Sequence, residues 1–220
     1  MPAKRMAKRP RVLLADDHTL VLEGLRRLLE DRYELVGMVE DGRALVETAP
    51  KLAPDLILLD ISMPLLNGLD AARQLRALVP DSRIIFLTMH ADPTYASEAF
   101  EAGASGYLLK RSAASELNVA IATVLGGRKY LTPLIAGDAL RATVPRSVTV
   151  PPTLGRLTPR QREVLQLVAE GHTARNIASR LGISVKTVEF HKASLMDRLG
   201  VRTASELTKY AVAHGFTELP

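Results

Sequence analysis

Five residues of complementary chemistry are spread through the first half of the chain, each at the end of a short apolar run. Asp16 and Asp17 follow Val12–Ala15, Asp60 lies within Leu56–Ile61, Thr88 closes Ile84–Thr88 and Lys110 follows Gly106–Leu109. If those runs are parallel strands, their carboxyl ends bring all five to one edge of a sheet. Three carboxylates gathered there repel one another, and a hard divalent cation bound through oxygen relieves the repulsion. Mg²⁺ suits such a set. It would neutralise a phosphoryl group arriving at Asp60, while Lys110 and the Thr88 hydroxyl take the remaining phosphoryl oxygens. Each residue alone reads as well as a turn or a helix cap. Five of them at the ends of four strands do not.

The elements that must position them are legible. With Leu35–Val39, the runs make five strands. They are continuously apolar rather than alternating, as strands buried on both faces are. Helical periodicity fills the intervals over Leu20–Leu29, Arg43–Leu52, Leu69–Leu78, Thr94–Ala102 and Ser115–Leu125. Pro50, Pro54, Pro80, Pro93, Gly103 and Gly126-Gly127 punctuate their ends. Five βα units predict an α/β domain of about residues 11–130, a doubly wound five-stranded parallel sheet of flavodoxin-like type.

The rhythm then changes. Pro133–Leu140 has room for a short helix, and Thr143–Arg156, with Pro145, Pro151, Pro152 and Gly155, reads as a semi-extended linker, so residues 131–156 join two domains. From Thr158 to His214 everything reads helical. Thr158-Pro159-Arg160-Gln161 is a capping box with proline at the first helical position. Gly171 ends that helix, Thr173 caps a second, Gly182 turns the chain, Ser184 caps a third running to Leu199, and Thr203-x-x-Glu206 opens a fourth. Residues 157–220 are therefore a small all-α domain of four helices. On the third, Val188, His191, Leu195 and Leu199 share one face, the core side, which makes His191 a packed residue with a polar tip. The other face offers Lys186, Glu189, Phe190 and Ala193, with Lys192 beside it. A helix lying in the DNA major groove needs such a face: short or flexible side chains toward bases, basic ones toward phosphates.

Charge supports two parts with different partners. Of the net +5, residues 1–10 carry +4, residues 11–130 carry −4 and residues 153–220 carry +4. The first ten residues, with Lys4, Arg5, Lys8 and Arg9, read as a solvated basic tail and lack the apolar stretch of a secretory signal. There is no cysteine, which excludes disulfides, thiolate metal sites and cysteine nucleophiles, and no apolar run long enough for a bilayer. A cytoplasmic protein without a membrane partner is expected.

The segments LLADDH, LLDISMPLLNGLD, IIFLTMH and GYLLKR resemble, in order and spacing, the receiver domain of bacterial two-component response regulators. That resemblance implies Asp60 as phosphoacceptor for a sensor histidine kinase. It implies Mg²⁺ coordination by Asp16, Asp17, Asp60 and the backbone carbonyl of Ser62. Thr88 becomes the switch hydroxyl, Lys110 the ion-pairing lysine, and Tyr107 the aromatic whose ring turns inward as Thr88 moves; packing within a strand is the plain reading of Tyr107. Met89 departs from the small residue common after the threonine and could crowd the acyl phosphate. His18 and His90 read as supporting or solvated residues beside the site. Residues 157–213 resemble the helix-turn-helix domain of the LuxR/NarL class of transcription factors. The resemblance implies double-stranded DNA as partner and a homodimer in the active form. Glu189, Phe190 and Ala193 would face bases and Lys186, Thr187 and Lys192 the backbone, with Arg175 and Asn176 assisting, Ser184 at the helix start and His191 near phosphate. Phe190 alternatively belongs to an apolar packing patch. Gln161 stands where the family has Glu, and either residue completes the capping box. An aspartyl-phosphate enzyme would carry an acid two residues after its nucleophile, where Ser62 stands, so the chain is not expected to be an enzyme. A C-terminal protein-interaction module fits the basic residues less well than DNA binding.

Overall fold

A computed structural model of the chain describes residues 9–136 and 157–217. Most of the basic tail, the Thr143–Arg156 linker and the second half of the expected helix at Pro133–Leu140 lie outside the described residues; residues 133–136 are helical. The first domain alternates β1 (Arg11–Ala15), α1 (Thr19–Leu29), β2 (Glu34–Val39), α2 (Gly42–Leu52), β3 (Leu56–Leu59), α3 (Gly68–Leu78), β4 (Arg83–Thr88), α4 (Pro93–Ala102), β5 (Gly106–Leu109), α5 (Ala113–Leu125) and β6 (Tyr130–Leu131). All strands pair in parallel in the order β2-β1-β3-β4-β5-β6. The order reverses between β1 and β3, so those two strands open a crevice at their carboxyl ends, where such sheets take their ligands. Asp16, Asp17 and Asp60 stand there.

Two apolar layers cover the sheet. Leu13, Ile57, Leu59, Phe86 and Tyr107 pack with α2, α3 and α4 on one face. Leu14, Leu56, Leu58, Ile85 and Leu108 pack with α1 and α5 on the other. Side-chain caps at Asp41, Asn67 and Asp92 start α2, α3 and α4 by accepting backbone N–H bonds. Gly68 opens α3 where a Cβ would come within 1.9 Å of the Asp60 carbonyl oxygen, so only glycine lets this helix approach the site so closely.

One expectation needs correcting. The sheet has six strands rather than five, because β6 adds to β5 through Gly106↔Tyr130 and Tyr107↔Leu131. Pro50 sits in the last turn of α2, which runs to Leu52 as expected and ends with Ala53 in the left-handed region at φ 41°. In the last turn a proline costs one hydrogen bond and no further propagation.

The second domain holds α6 (Pro159–Ala169), α7 (Ala174–Leu181), α8 (Val185–Leu199) and α9 (Ala204–Ala213). Complete capping boxes at Thr158 and Thr203 start α6 and α9, and Thr173 and Ser184 cap α7 and α8. Gly182 and Gly200 take positive φ, 62° and 67°, at the ends of α7 and α8, which turns the chain without strain. Val164, Leu165, Leu167, Ile177, Leu181, Val188, Leu195, Leu207 and Ala211 form the core. At about 0.8 kcal/mol per buried methylene, this small cluster supplies most of the force that holds four short helices together. The two domains touch through α6, whose Arg162 Nε donates to Asp70 of α3 at 2.7 Å.

Candidate phosphoryl and metal site and nucleic-acid interface

At the crevice, Lys110 lies between two buried carboxylates. Its Nζ is 2.7 Å from Asp60 Oδ2 and 2.8 Å from Asp16 Oδ2. The other Asp60 oxygen accepts from the Ile61 amide at 2.7 Å. Burial pushes the Asp60 carboxyl up to about 6, against the pull of Lys110 and with some help from Asp16. Burial works against the charge on Lys110, yet Asp60 and Asp16 outweigh it and hold the ammonium above its usual range. A buried carboxylate kept ionised by one movable cation can exchange that cation for a metal and a phosphoryl group. The donor set fits a hard cation: ligand atoms of Asp16, Asp17, His18 and Asp60 all lie within 4.8 Å of one another, and three of the four are carboxylate oxygens.

Thr88 is fully buried at the end of β4, paired with Leu109, the residue before Lys110 at the end of the neighbouring strand. Its hydroxyl accepts from the His90 amide at 3.2 Å. Ser62 makes its contact through its side chain, with Oγ 3.0 Å from His90 Nε2. Tyr107 is 0% exposed, ring inward, and its hydroxyl donates to the His90 carbonyl at 2.9 Å. Met89 is 67% exposed, so most of its side chain meets solvent. Two histidines that sequence reasoning left beside the site are part of it. His18 Nδ1 lies 2.8 Å from Asp17 Oδ1 and 3.2 Å from Asp16 Oδ1; burial opposes its protonation, but the two carboxylates raise its pKa. His90 joins Ser62, Thr88 and Tyr107. The signals available were adjacency alone: His18 follows the acid pair, and His90 stands two residues beyond Thr88.

In the helical domain, Val188 and Leu195 are buried, while His191 and Leu199 are half-buried at the edge of the same face. Outward, Ser184, Lys186, Glu189, Phe190 and Ala193 are exposed, with Thr187 and Lys192 half-buried. Arg175 and Asn176 are exposed at the start of α7. Phe190 is 70% exposed and meets only the edge of the His191 ring among aromatic neighbours, at 6.0 Å between centroids.

Residues 12–122 match the family described as response regulator receiver domain, and residues 155–211 match the bacterial regulatory proteins of the luxR family. The transcriptional regulatory protein MctR of Rhizobium johnstonii is 38% identical over 214 residues, which cover 96% of this chain and 97% of that protein. The chain belongs to the LuxR-class response regulators. The response regulator UvrY of Escherichia coli K12 is 34% identical over 93% of this chain and 94% of its own. Among solved structures, the RcsB response regulator of Salmonella typhimurium matches with a TM-score of 0.63 and 30% identity, covering 94% of this chain and 98% of that one. A complex of RcsB with DNA matches at 32% identity and a TM-score of 0.57, over 94% and 99% of the two chains. This response regulator therefore joins a receiver domain to a LuxR-type DNA-binding domain, in a family of transcription factors rather than enzymes. Among the described residues no helix is long and apolar enough to cross a membrane.

Proposed function

We propose that Asp60 accepts a phosphoryl group from a sensor histidine kinase and that its phosphorylation controls dimerisation and binding of double-stranded DNA. The observation that carries this reading is the Lys110 bridge: one ammonium within 2.8 Å of both Asp16 and Asp60, beside a third carboxylate. Asp16, Asp17, Asp60 and the Ser62 carbonyl would hold Mg²⁺, which supplies charge neutralisation for the transferred group. Asp60 is the acceptor, Lys110 is positioned to pair with the phosphoryl oxygens, and the Thr88 hydroxyl is free to follow them once it releases the His90 amide. Tyr107 reports that movement through the His90 carbonyl it holds.

Receiver, linker and DNA-binding domain are assigned to residues 11–130, 131–156 and 157–220, with a basic tail at residues 1–10. On DNA, Glu189, Phe190 and Ala193 read bases: glutamate accepts from the cytosine amino group, and Phe190 packs on a thymine methyl. Ser184, Lys186, Thr187, His191, Lys192, Arg175 and Asn176 hold the backbone. Two such domains bound to paired half-sites gain from being joined, which makes a homodimer the active form; the cytoplasm, where DNA and kinase meet in bacteria, is the place of action. RcsB structures include two dimers bound to two DNAs and a promoter complex with the phosphomimetic BeF3−. Acetyl phosphate with Mg²⁺ is expected to add one phosphoryl group by intact mass, and Asp60→Asn to add none. Labelling of Asp60→Asn, or labelling that survives removal of Mg²⁺, refutes the assignment.

A further inference from the structure

His18 stands at the start of α1, where serine, threonine, aspartate or asparagine ordinarily caps a helix. Its backbone is extended, φ −94° and ψ 101°, as at such a start, yet its side chain makes no capping bond to the helix. The ring turns back onto the acid pair instead. Nδ1 lies 2.8 Å from Asp17 Oδ1 and 3.2 Å from Asp16 Oδ1, and the His18 amide donates to the same Asp16 oxygen at 3.0 Å. With Asp60, these side chains set one nitrogen and three oxygens within 4.8 Å of one another.

Those spacings are the ones a small cation imposes on its ligands. With bonds of about 2.1 Å, ligand atoms at right angles stand about 3.0 Å apart and opposite ones about 4.2 Å. Moving the ring proton to Nε2 frees the Nδ1 lone pair for a cation in the same place. Lys110 does not compete for that place directly. Its ammonium holds Oδ2 of Asp16, whereas His18 meets Oδ1, so ammonium and cation use different oxygens of one carboxylate.

We propose that His18 Nδ1 is a ligand of the metal site, and that the site therefore takes borderline divalent ions with affinity for imidazole, Mn²⁺ and above all Zn²⁺, in competition with Mg²⁺. This inference rests on the reading of Asp16, Asp17 and Asp60 as metal ligands. Mg²⁺ prefers oxygen donors, so an imidazole nitrogen adds much to the binding of zinc and little to that of magnesium. Zinc is commonly satisfied by four protein ligands, and Asp16, Asp17, His18 and Asp60 are four. A set of four closed on one ion has no open position for a phosphoryl oxygen, whereas six-coordinate magnesium retains several. His18 is thus the residue by which the identity of the ion bears on loading of Asp60.

The full chain carries the test. Calorimetry is expected to show Zn²⁺ binding weakened about 10-fold or more in His18→Ala, at least the usual cost of disturbing a metal site, with Mg²⁺ binding changed less than about 2-fold. His18→Gln, which keeps bulk and polarity without the ring, should behave as His18→Ala does. His18 is half exposed and caps nothing, so both variants should fold, which circular dichroism checks. With Mn²⁺ as the probe, electron spin-echo spectroscopy should show a directly bound imidazole nitrogen in the unaltered chain and none in either variant. Zn²⁺ should suppress acetyl phosphate labelling of Asp60 in the unaltered chain, and the variants should need about 10-fold more for the same suppression. No nitrogen signal from bound Mn²⁺, a signal that persists without His18, or Zn²⁺ and Mg²⁺ affinities that stay the same or fall together overturns His18 as a ligand. Failure of the unaltered chain to bind any of the three ions overturns the metal site itself instead.

Discussion

The two functional regions of this response regulator are built on opposite plans. Around Asp60 two of the three carboxylates, Asp16 and Asp60, are buried and partnered by Lys110, so a small ligand acts by replacing one set of bonds with another. On α8 the side chains that would read DNA are exposed and hold few partners, so a large ligand acts by adding bonds where there were few. A buried site makes charge expensive and therefore informative, because adding or removing one charge disturbs everything around it. An exposed face makes charge cheap, and only the partner gives it meaning. One molecule thus keeps its switch and its reader apart in dielectric as well as in space.

Removing the cation from the buried site is the most severe way to break this contrast. Lys110→Ala leaves Asp16 and Asp60 facing each other, and urea denaturation at pH 7.5 should show a loss of about 3–5 kcal/mol. The sign of the pH dependence follows from the Asp60 carboxyl, which lies raised at about 6 in the fold. A raised carboxyl binds a proton more readily folded than unfolded, so its contribution to stability grows as pH falls through 6. The Lys110→Ala deficit should therefore shrink at pH 5. A deficit independent of pH would mean that Lys110 acts by packing and not by charge.

On the exposed face the expected effects are smaller and need DNA to appear. Glu189→Ala should cost about 1–3 kcal/mol of discrimination at one base pair, read by competition between operator variants. Lys192→Ala should weaken all sequences alike and lower the slope of log affinity against log salt by about 1. If both changes merely scale affinity, the division between base-reading and backbone-holding residues is wrong. Smallest of all, Phe190→Ala should leave unfolding free energy within about 0.5 kcal/mol, since an exposed side chain supports little of the core. A larger loss would return Phe190 to the apolar patch.

Much of this was legible in the sequence because it is local. The strand ends that gather Asp16, Asp17, Asp60 and Lys110 follow from apolar runs and their punctuation, and the caps at Thr158, Thr173, Ser184 and Thr203 from residue types at fixed offsets. What stayed hidden depends on distance or brevity. Gln166, Glu163 and Glu170 look like the solvated face of a helix, and nothing within a few residues reveals that Gln166 grips a loop 99 positions away. Leu65 looks like an ordinary loop leucine until its φ of 66° is known. β6 is two residues long, too short for any periodicity to register.

That two-residue strand has a consequence for solubility. β5 is entirely buried and apolar, and without a neighbour its outer backbone groups would form an open template for another chain. β6 closes it cheaply, because the Tyr130 amide bonds to the Ser105 carbonyl and the Thr132 amide to the Tyr107 carbonyl, extending the cover beyond its own length. Glu116 of α5 then holds the cover down through the hydroxyls of Tyr130 and Thr132. Since this cover leads directly into the segment that joins the domains, tension on that segment would pull first at this edge of the sheet, and the pair of hydroxyls on Glu116 adds to the backbone bonds that resist it.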